Sequence, residues 1–131
     1  MENIKWNEQF KIRLAKADKT MDLHDIIKVL VVRKIIRKYV NKSWLRVYTE
    51  HDLNEGKLIP DIYVEDVKAK SIICYEIQKK LDNDYAVIKT KQYNDMGVPY
   101  NFNTLDLIII PIQMCPDKIS EIDKWLDLYV I

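Results

Sequence analysis

The chain has 131 residues, of which 48% are hydrophobic and 31% charged, and its formal net charge at pH 7 is +1. That balance is typical of one globular domain with its own core, and it excludes a disordered chain or a domain that depends on disulfides or zinc. The two cysteines, Cys74 and Cys115, match neither a disulfide framework nor a metal-site pattern, and no apolar run is long enough to span a bilayer.

The first residues do not resemble a secretory signal. Lys5, Glu8, Lys11 and Arg13 interrupt every apolar stretch in that region. We therefore expect an intracellular, cytoplasmic protein without membrane association.

Two helices and three strands are predicted in the first part of the chain. Apolar residues at helical spacing predict helices at Asn7–Ala17 and Met21–Asn41. Apolar and alternating segments then predict strands at Leu45–Thr49, Asp61–Asp66 and Ser71–Gln78. The last two strands are separated by a short turn, which indicates an antiparallel hairpin.

The second part of the chain adds a helix, a strand and a final helix. The first helix is predicted at Asn83–Met96, where Gly97 ends it. The run Leu105–Ile112 is apolar almost throughout, which favours a strand buried on both faces. A final amphipathic helix is predicted at Ile119–Tyr129. An antiparallel meander followed by a helical crossover strand predicts an α/β fold with a mixed sheet flanked by helices.

Basic side chains are concentrated in the first third of the sequence. Residues 1–43 contain 11 Lys and Arg against 5 Asp and Glu. One side of the second predicted helix bears Lys28, Arg33, Lys34, Arg37 and Lys38. These residues form either a surface that contacts nucleic-acid phosphates or an ordinary solvated helix face.

The predicted hairpin brings two carboxylates together. With the turn centred between Lys68 and Ala69, Asp61 lies opposite Glu76, and Gln78 shares their face of the sheet. Directly opposed side chains have Cβ atoms about 5 Å apart. The same register places five apolar residues on the other face, and this agreement supports it. Those residues are Ile62, Val64, Ile73, Tyr75 and Ile77.

Opposed carboxylates repel each other, and a divalent cation would offset that repulsion. Mg²⁺ is usually held by one or two carboxylates together with water and phosphate oxygens. Asp61 and Glu76 therefore predict a Mg²⁺ site, in which Mn²⁺ is expected to substitute. The alternative is a different strand stagger, or a carboxylate exposed at the end of the sheet.

Two short motifs resemble the PD-(D/E)xK nuclease superfamily. They are Ile59-Pro60-Asp61 and the apolar strand Ser71–Gln78 with its Glu-Ile-Gln ending. The superfamily includes Holliday junction resolvases, many restriction enzymes and competence-associated CoiA-like nucleases. The resemblance covers about residues 21–112, including the order of helices and strands. It implies a restriction-endonuclease-like three-layer fold and hydrolysis of DNA phosphodiester bonds.

The resemblance also assigns roles to individual residues. Asp61 and Glu76 correspond to the metal ligands, and the backbone carbonyl of Ile77 corresponds to a third ligand. Gln78 stands where lysine is most common, so this chain is a Glu-x-Gln variant. An amide can orient an attacking water by hydrogen bonding, but it has no positive charge.

Four further residues are accessory candidates. In related nucleases the helix after the third strand often contributes a side chain, so Lys89 or Lys91 could provide the missing charge. His24 lies at the start of the second helix, where the superfamily often places a polar residue near the metal. Glu50 follows the first strand and is expected near Asp61. For each of these, the alternative is an ordinary surface residue.

Two functions of different classes follow from the sequence. The first is a Mg²⁺-dependent DNA endonuclease formed by a single domain over residues 1–131, acting as a homodimer through apolar surface on the last helix, including Trp125 and Tyr129. The second is a catalytically weak or inactive nuclease-fold module that binds DNA or a protein partner. Dependence on a divalent metal distinguishes the two. A small interaction protein with coincidental motifs is a third interpretation.

Overall fold

The strands form one mixed sheet with helices on both faces. The structure is a computed structural model and describes residues 10–12, 23–79 and 82–130. Four strands have five to eight residues each, and a two-residue strand pairs at one edge. The strands, in both chain order and spatial order, are β1 (Phe10–Lys11), β2 (Leu45–Thr49), β3 (Ile62–Asp66), β4 (Ser71–Gln78) and β5 (Thr104–Pro111). The helices are α1 (Leu23–Lys38), α2 (Asn83–Met96) and α3 (Ile119–Trp125).

The topology confirms the predicted α/β class and the mixed sheet. Strands β2, β3 and β4 form an antiparallel meander, and α2 then crosses over so that β5 lies parallel to β4. The hairpin register is also as predicted, with Ile62 opposite Tyr75 and Val64 opposite Ile73. Alternation along these strands therefore directs one set of side chains to each face.

Two apolar clusters lie on opposite faces of the sheet. Residues of α1 and α3 cover one face, where Ile62 and Tyr75 are buried with Ile27 and Ile35. On the other face, α2 contributes Tyr93 to a smaller cluster. The layer order is helix, sheet, helix, which is compatible with a three-layer α/β fold.

Short-range hydrogen bonds fix the connections beside the sheet ends. Asp82 is the N-cap of α2, and its carboxylate accepts from the backbone N–H groups of Asp84 at 2.9 Å and Tyr85 at 3.4 Å. In the β3–β4 turn, the Asp66 carboxylate accepts from the Ala69 N–H at 2.8 Å. These side chains hold the hairpin and the start of α2 in place.

The prediction of a helix at Asn7–Ala17 is wrong where the structure describes this segment. Phe10 and Lys11 form a strand that pairs in parallel with Val47 and Tyr48, while residues 7–9 and 13–17 lie outside the described residues. Pairing with the exposed edge of β2 satisfies backbone groups that a short helix would leave open at its ends.

Strand β5 is not buried on both faces as predicted. It is the last strand of the sheet, Asp106 is exposed, and only Ile110 and Pro111 at its end are buried. A continuous apolar run predicts burial on both faces, but it does not distinguish a central strand from one at the edge of the sheet.

Element ends differ by a few residues from the predicted ones. Helix α1 ends at Lys38 instead of Asn41, and α3 ends at Trp125, where a 3-10 turn at Leu126–Leu128 follows. Helix ends commonly tighten in this way. No helix within the described residues has the length and apolar character needed to cross a membrane.

Candidate functional site

A cleft of about 480 Å³ opens at one end of the sheet. There β3 begins, β4 ends, and helices α1 and α2 both begin. The polar side chains that line it are His24, Asp61, Glu76, Gln78, Lys79, Asp82 and Tyr85. The predicted site residues Asp61, Glu76 and Gln78 therefore lie together, and the start of α1 adds His24 to them.

Asp61 is held by both the sheet and α1. Its Oδ2 accepts a hydrogen bond of 2.7 Å from the backbone N–H of Ile77 on β4. Its Oδ1 lies 3.3 Å from Nε2 of His24. The carboxylate is thereby fixed at the start of β3 with one oxygen against β4 and the other toward the helix.

Glu76 is a buried carboxylate, with only 5% of its surface exposed. Its Oε2 accepts a hydrogen bond of 2.7 Å from the Tyr93 hydroxyl and lies 3.9 Å from Nζ of Lys89. Burial raises the pKa of Glu76 above its ordinary value, the Tyr93 hydrogen bond and Lys89 lower it in part, and the charges of Asp61 and Glu50 raise it further.

The two carboxylates meet because of the hairpin register. The pairing of Ile62 with Tyr75, extended by one residue, sets Asp61 opposite Glu76. Both line the cleft, and the charge of Asp61 disfavours ionisation of Glu76. Negative charge is thus concentrated at one point of a partly enclosed surface.

Behind the cleft, Lys28 and Glu50 form an ion pair. The Lys28 side chain is fully buried, and its ammonium group contacts Oε1 of Glu50, which is 31% exposed. Lys28 follows His24 by one helical turn, so both lie on the same face of α1. Glu50 has a positive φ of 53°, which is uncommon for a residue with a side chain. Lys28 therefore does not lie on the exposed basic side of α1 that the sequence predicted.

The two predicted lysines of α2 have different surroundings. Lys89 lies beside Glu76, whereas Lys91 is exposed and pairs with Asp95 at 2.6 Å. Lys91 is not brought to the cleft. Gln78 is buried, and its amide donates to the backbone carbonyl of Asp82 at 3.4 Å. Of these residues, Lys89 provides the positive charge nearest to the carboxylates.

The remaining basic residues of α1 also differ from one another. Arg33, Arg37 and Lys38 are exposed, as predicted for a basic helix face. Lys34 instead pairs with Asp127 at 2.6 Å and Asp123 at 3.5 Å, which ties α1 to the end of the chain. The hydrogen bond to Asp127, with the charges of both aspartates, raises the pKa of Lys34.

Sequence reasoning did not assign a role to Tyr93 or Tyr85. Burial, the hydrogen bond to Glu76 and its charge all raise the pKa of Tyr93, so the hydroxyl stays protonated as a donor. Tyr85, Lys89 and Tyr93 follow one another at intervals of four residues, which places them on one face of α2. This four-residue spacing is the sequence feature that could have indicated a face of α2 directed at the site.

The donor set fits a hard divalent cation. Mg²⁺ takes one or two protein carboxylates, and Asp61 and Glu76 supply two in a cleft where a positive ion would offset the cost of ionising Glu76. Within the described residues, no group of three or more His, Cys, Asp or Glu side chains is positioned to hold a metal. The remaining coordination would come from water, substrate oxygens or backbone.

The fold and cleft define an α/β protein with paired carboxylates at one end of a mixed sheet. Comparisons with protein-family models, with curated proteins and with solved structures found no match for the chain.

Proposed function

We propose that this chain is an intracellular, Mg²⁺-dependent endonuclease of the PD-(D/E)xK type, with a restriction-endonuclease-like fold, that hydrolyses DNA phosphodiester bonds. The observation on which the proposal depends is the meeting of Asp61 and Glu76 in one cleft through the β3–β4 register. The order of elements and the motif Pro60-Asp61 are consistent with it.

Asp61 and Glu76 would hold the cation, with the Ile77 carbonyl as the third ligand that the resemblance implies. A bound Mg²⁺ would polarise the phosphodiester and make a coordinated water more acidic. The protein's own groups would supply the rest: the ammonium group of Lys89 would attract the phosphate, and His24, whose Nε2 lies 3.3 Å from Oδ1 of Asp61, would hold that carboxylate in place.

Gln78 takes no charged role in this mechanism. Its amide donates to the Asp82 carbonyl and so braces the end of β4 against the start of α2. The positive charge usually found at this motif position would come instead from Lys89 on α2. Arg33 and Arg37, whose side chains are exposed on α1, would contact the DNA backbone.

The test combines metal binding with cleavage. We expect Mn²⁺ titrated calorimetrically into the wild type to bind, and Asp61→Asn to abolish both binding and plasmid nicking. Asparagine keeps an oxygen that can accept from Ile77, so the fold should persist, which circular dichroism checks. The matched control is Asp95→Asn, which removes an exposed carboxylate on α2 and should change neither. Nicking by Asp61→Asn at the wild-type rate would exclude the proposal.

A second candidate is a nuclease-like module that binds DNA or a protein partner without cleaving. The observation in its favour is that protein groups already satisfy the carboxylates: Tyr93 and Lys89 contact Glu76, and Ile77 and His24 contact Asp61. In that case DNA binding would be the same with EDTA as with Mg²⁺. Calorimetry would then detect no metal binding by the wild type.

A further inference from the structure

A second surface lies at the end of the sheet opposite the cleft. There the α1–β2 connection runs beside the β3–β4 turn, and the backbone N–H of Val67 donates to the Trp44 carbonyl at 3.4 Å. Strand β4 starts at this end and finishes at the cleft. Its eight residues separate the two ends by about 23 Å, at about 3.3 Å per residue.

This end of the molecule is strongly basic. Residues 37–46 contain four Lys and Arg and no Asp or Glu, and residues 66–70 contain two lysines and one aspartate. That aspartate, Asp66, accepts the backbone N–H of Ala69 within the turn. The side chains of Lys38, Lys68 and Lys70 are exposed. The two segments together therefore have six basic residues against one aspartate, and Glu65, opposite Arg46, is a further carboxylate beside them.

Aromatic rings lie between the lysines. Nζ of Lys68 is 4.4 Å from the centroid of the Trp44 ring, and Nζ of Lys42 is 4.6 Å from that of Tyr39. Lys38 is also over the Tyr39 ring, at 5.7 Å. Both rings are half-buried, so each is anchored in the protein and still reaches solvent.

These contacts differ from those of the lysines elsewhere. Lys34 and Lys91 lie against carboxylates that neutralise them. A cation over an aromatic ring keeps its full charge, since the ring has none. Lys38 and Lys68 make ring contacts and, within the described residues, no ion pair. Such lysines remain able to bind an external anion.

We propose that this basic aromatic surface, formed by Lys38, Tyr39, Lys42, Trp44 and Lys68, binds single-stranded nucleic acid. Lysines would contact successive phosphates, and the two rings would stack on bases. Cations interleaved with aromatic side chains are what sequence-tolerant single-strand binding requires, because unpaired bases expose a face that a duplex keeps stacked.

This inference concerns binding and not phosphodiester cleavage. It rests on the proposed function only in taking nucleic acid as the ligand. The carboxylate cleft repels phosphates unless a cation is bound, whereas the basic aromatic surface needs no metal. A strand bound there could extend along the sheet toward the cleft. Binding in EDTA therefore tests this surface separately from the nuclease proposal.

The first experiment measures fluorescence anisotropy of a labelled oligothymidine of about 15 nucleotides, close to the upper site size of small single-strand binding folds. The full chain is titrated in EDTA at several salt concentrations. We expect Lys38→Glu/Lys68→Glu to weaken binding at least about tenfold and to reduce the salt-dependence slope by about 1.4, or about 0.7 for each lost phosphate contact.

The matched control is Lys118→Glu/Lys124→Glu, which reverses two exposed lysines of α3 and its N-cap without touching this surface. It makes the same change in net charge, so it should retain near wild-type binding. If both double variants weaken binding equally, net charge alone explains it and the inference fails. Thermal unfolding of each variant checks that the fold is intact.

A second experiment tests stacking. Trp44→Ala should weaken oligothymidine binding between about 5-fold and 150-fold, because one base–aromatic stack contributes about 1–3 kcal/mol. Trp44→Phe should recover much of the affinity. Equal binding of a duplex of the same length, or no effect of Trp44→Ala, would overturn the single-strand assignment. Binding to phosphatidylserine vesicles but not to oligothymidine would overturn it in favour of a membrane surface.

Discussion

The carboxyl group of Glu76 lies between Tyr93, Lys89 and the neighbouring Asp61, with little access to water. Its pKa is raised chiefly because burial disfavours the charged form. In the absence of metal, the ionised residue is therefore a source of instability in the folded protein. A cation bound beside Glu76 would stabilise the ionised carboxylate and so offset this cost.

The pH dependence of stability should reveal this cost. Because the folded pKa of Glu76 is raised, the folded chain holds the proton to higher pH than the unfolded chain does. Its contribution to the free energy of unfolding is therefore largest below the ordinary value of 4.5 and is lost as the pH rises through the raised value. We expect metal-free Glu76→Gln to be more stable than wild type at neutral pH.

Thermal unfolding in EDTA across a pH series measures the difference between the two proteins. The gain from Glu76→Gln should shrink as the pH falls toward the ordinary glutamate range. Glu121→Gln, at an exposed position on α3, is the control and should show no such dependence. Parallel stability curves for wild type and Glu76→Gln would contradict the assignment of a raised pKa.

The Lys28–Glu50 pair gives a second prediction. Glu50→Gln leaves the fully buried ammonium group of Lys28 without its counter-ion. Breaking a buried pair commonly costs about 3–5 kcal/mol, and we expect roughly 2 kcal/mol here because Glu50 is partly exposed to solvent. Urea denaturation provides the measurement.

The double variant Lys28→Met/Glu50→Gln separates charge burial from packing. Methionine fills similar space without a charge, so the double variant should be more stable than Glu50→Gln alone. If the double variant is the less stable of the two, the pair contributes through packing and not through its charges.

The sequence predicts best the elements whose pattern lies within a short segment, such as alternating residues or a tight turn. The β3–β4 hairpin has alternating residues on both strands and a short turn, so its register and both of its faces followed from pattern. Strand β1 had no such signal, because two residues are too few to show a period and their pairing with β2 is tertiary. The exposure of β5 likewise depends on its place in the sheet.

The part of the candidate site that lies on the hairpin was predicted from the sequence, and the part contributed by the helices was predicted less well. Asp61, Glu76 and Gln78 were found because strand pairing is readable from alternation. Whether Lys89 or Lys91 reaches the cleft depends on the rotation of α2, which only its packing through Tyr93 determines. The burial of Lys28 could not be predicted because it depends on the distant partner Glu50.

The N-cap of α2 matters to the site because this helix positions Lys89 and Tyr93. Asp82→Ala removes the acceptor for the Asp84 and Tyr85 N–H groups and should cost about 1 kcal/mol. Asp82→Asn should recover most of the stability, since asparagine also caps well. Chemical denaturation of both variants tests this, and equal stability of Asp82→Ala and wild type would refute it.

At the scale of the whole molecule, the homodimer through Trp125 and Tyr129 stays a prediction. Trp125 and Tyr129 pack partly against the core and against each other, with ring centroids 5.2 Å apart. Among the described residues near the end of the chain, Ile119 and Leu128 have exposed apolar side chains, at 66% and 74%. Contact between two copies would cover them.

The expected outcome is a dimer that Leu128→Lys converts to a monomer, measured by light scattering coupled to size exclusion. A charge at the centre of an apolar contact is unfavourable unless it finds a partner. Lys124→Leu, which adds an exposed apolar side chain on α3 shortly before the turn with Leu128, serves as a control for nonspecific association. A wild type that is monomeric at all concentrations would exclude a homodimer.

The hairpin that joins Asp61 to Glu76 also has a kinetic consequence. Its strands are linked by a four-residue turn, so its contacts close with little loss of chain entropy, whereas pairing of β4 with β5 must span a whole helix. We therefore expect the two carboxylates to come together early in folding, before α1 brings His24 and α2 brings Lys89 to them. Without His24 and Lys89, the repulsion between the two carboxylates slows formation of the hairpin. Refolding should therefore accelerate as the pH falls or as divalent ions are added.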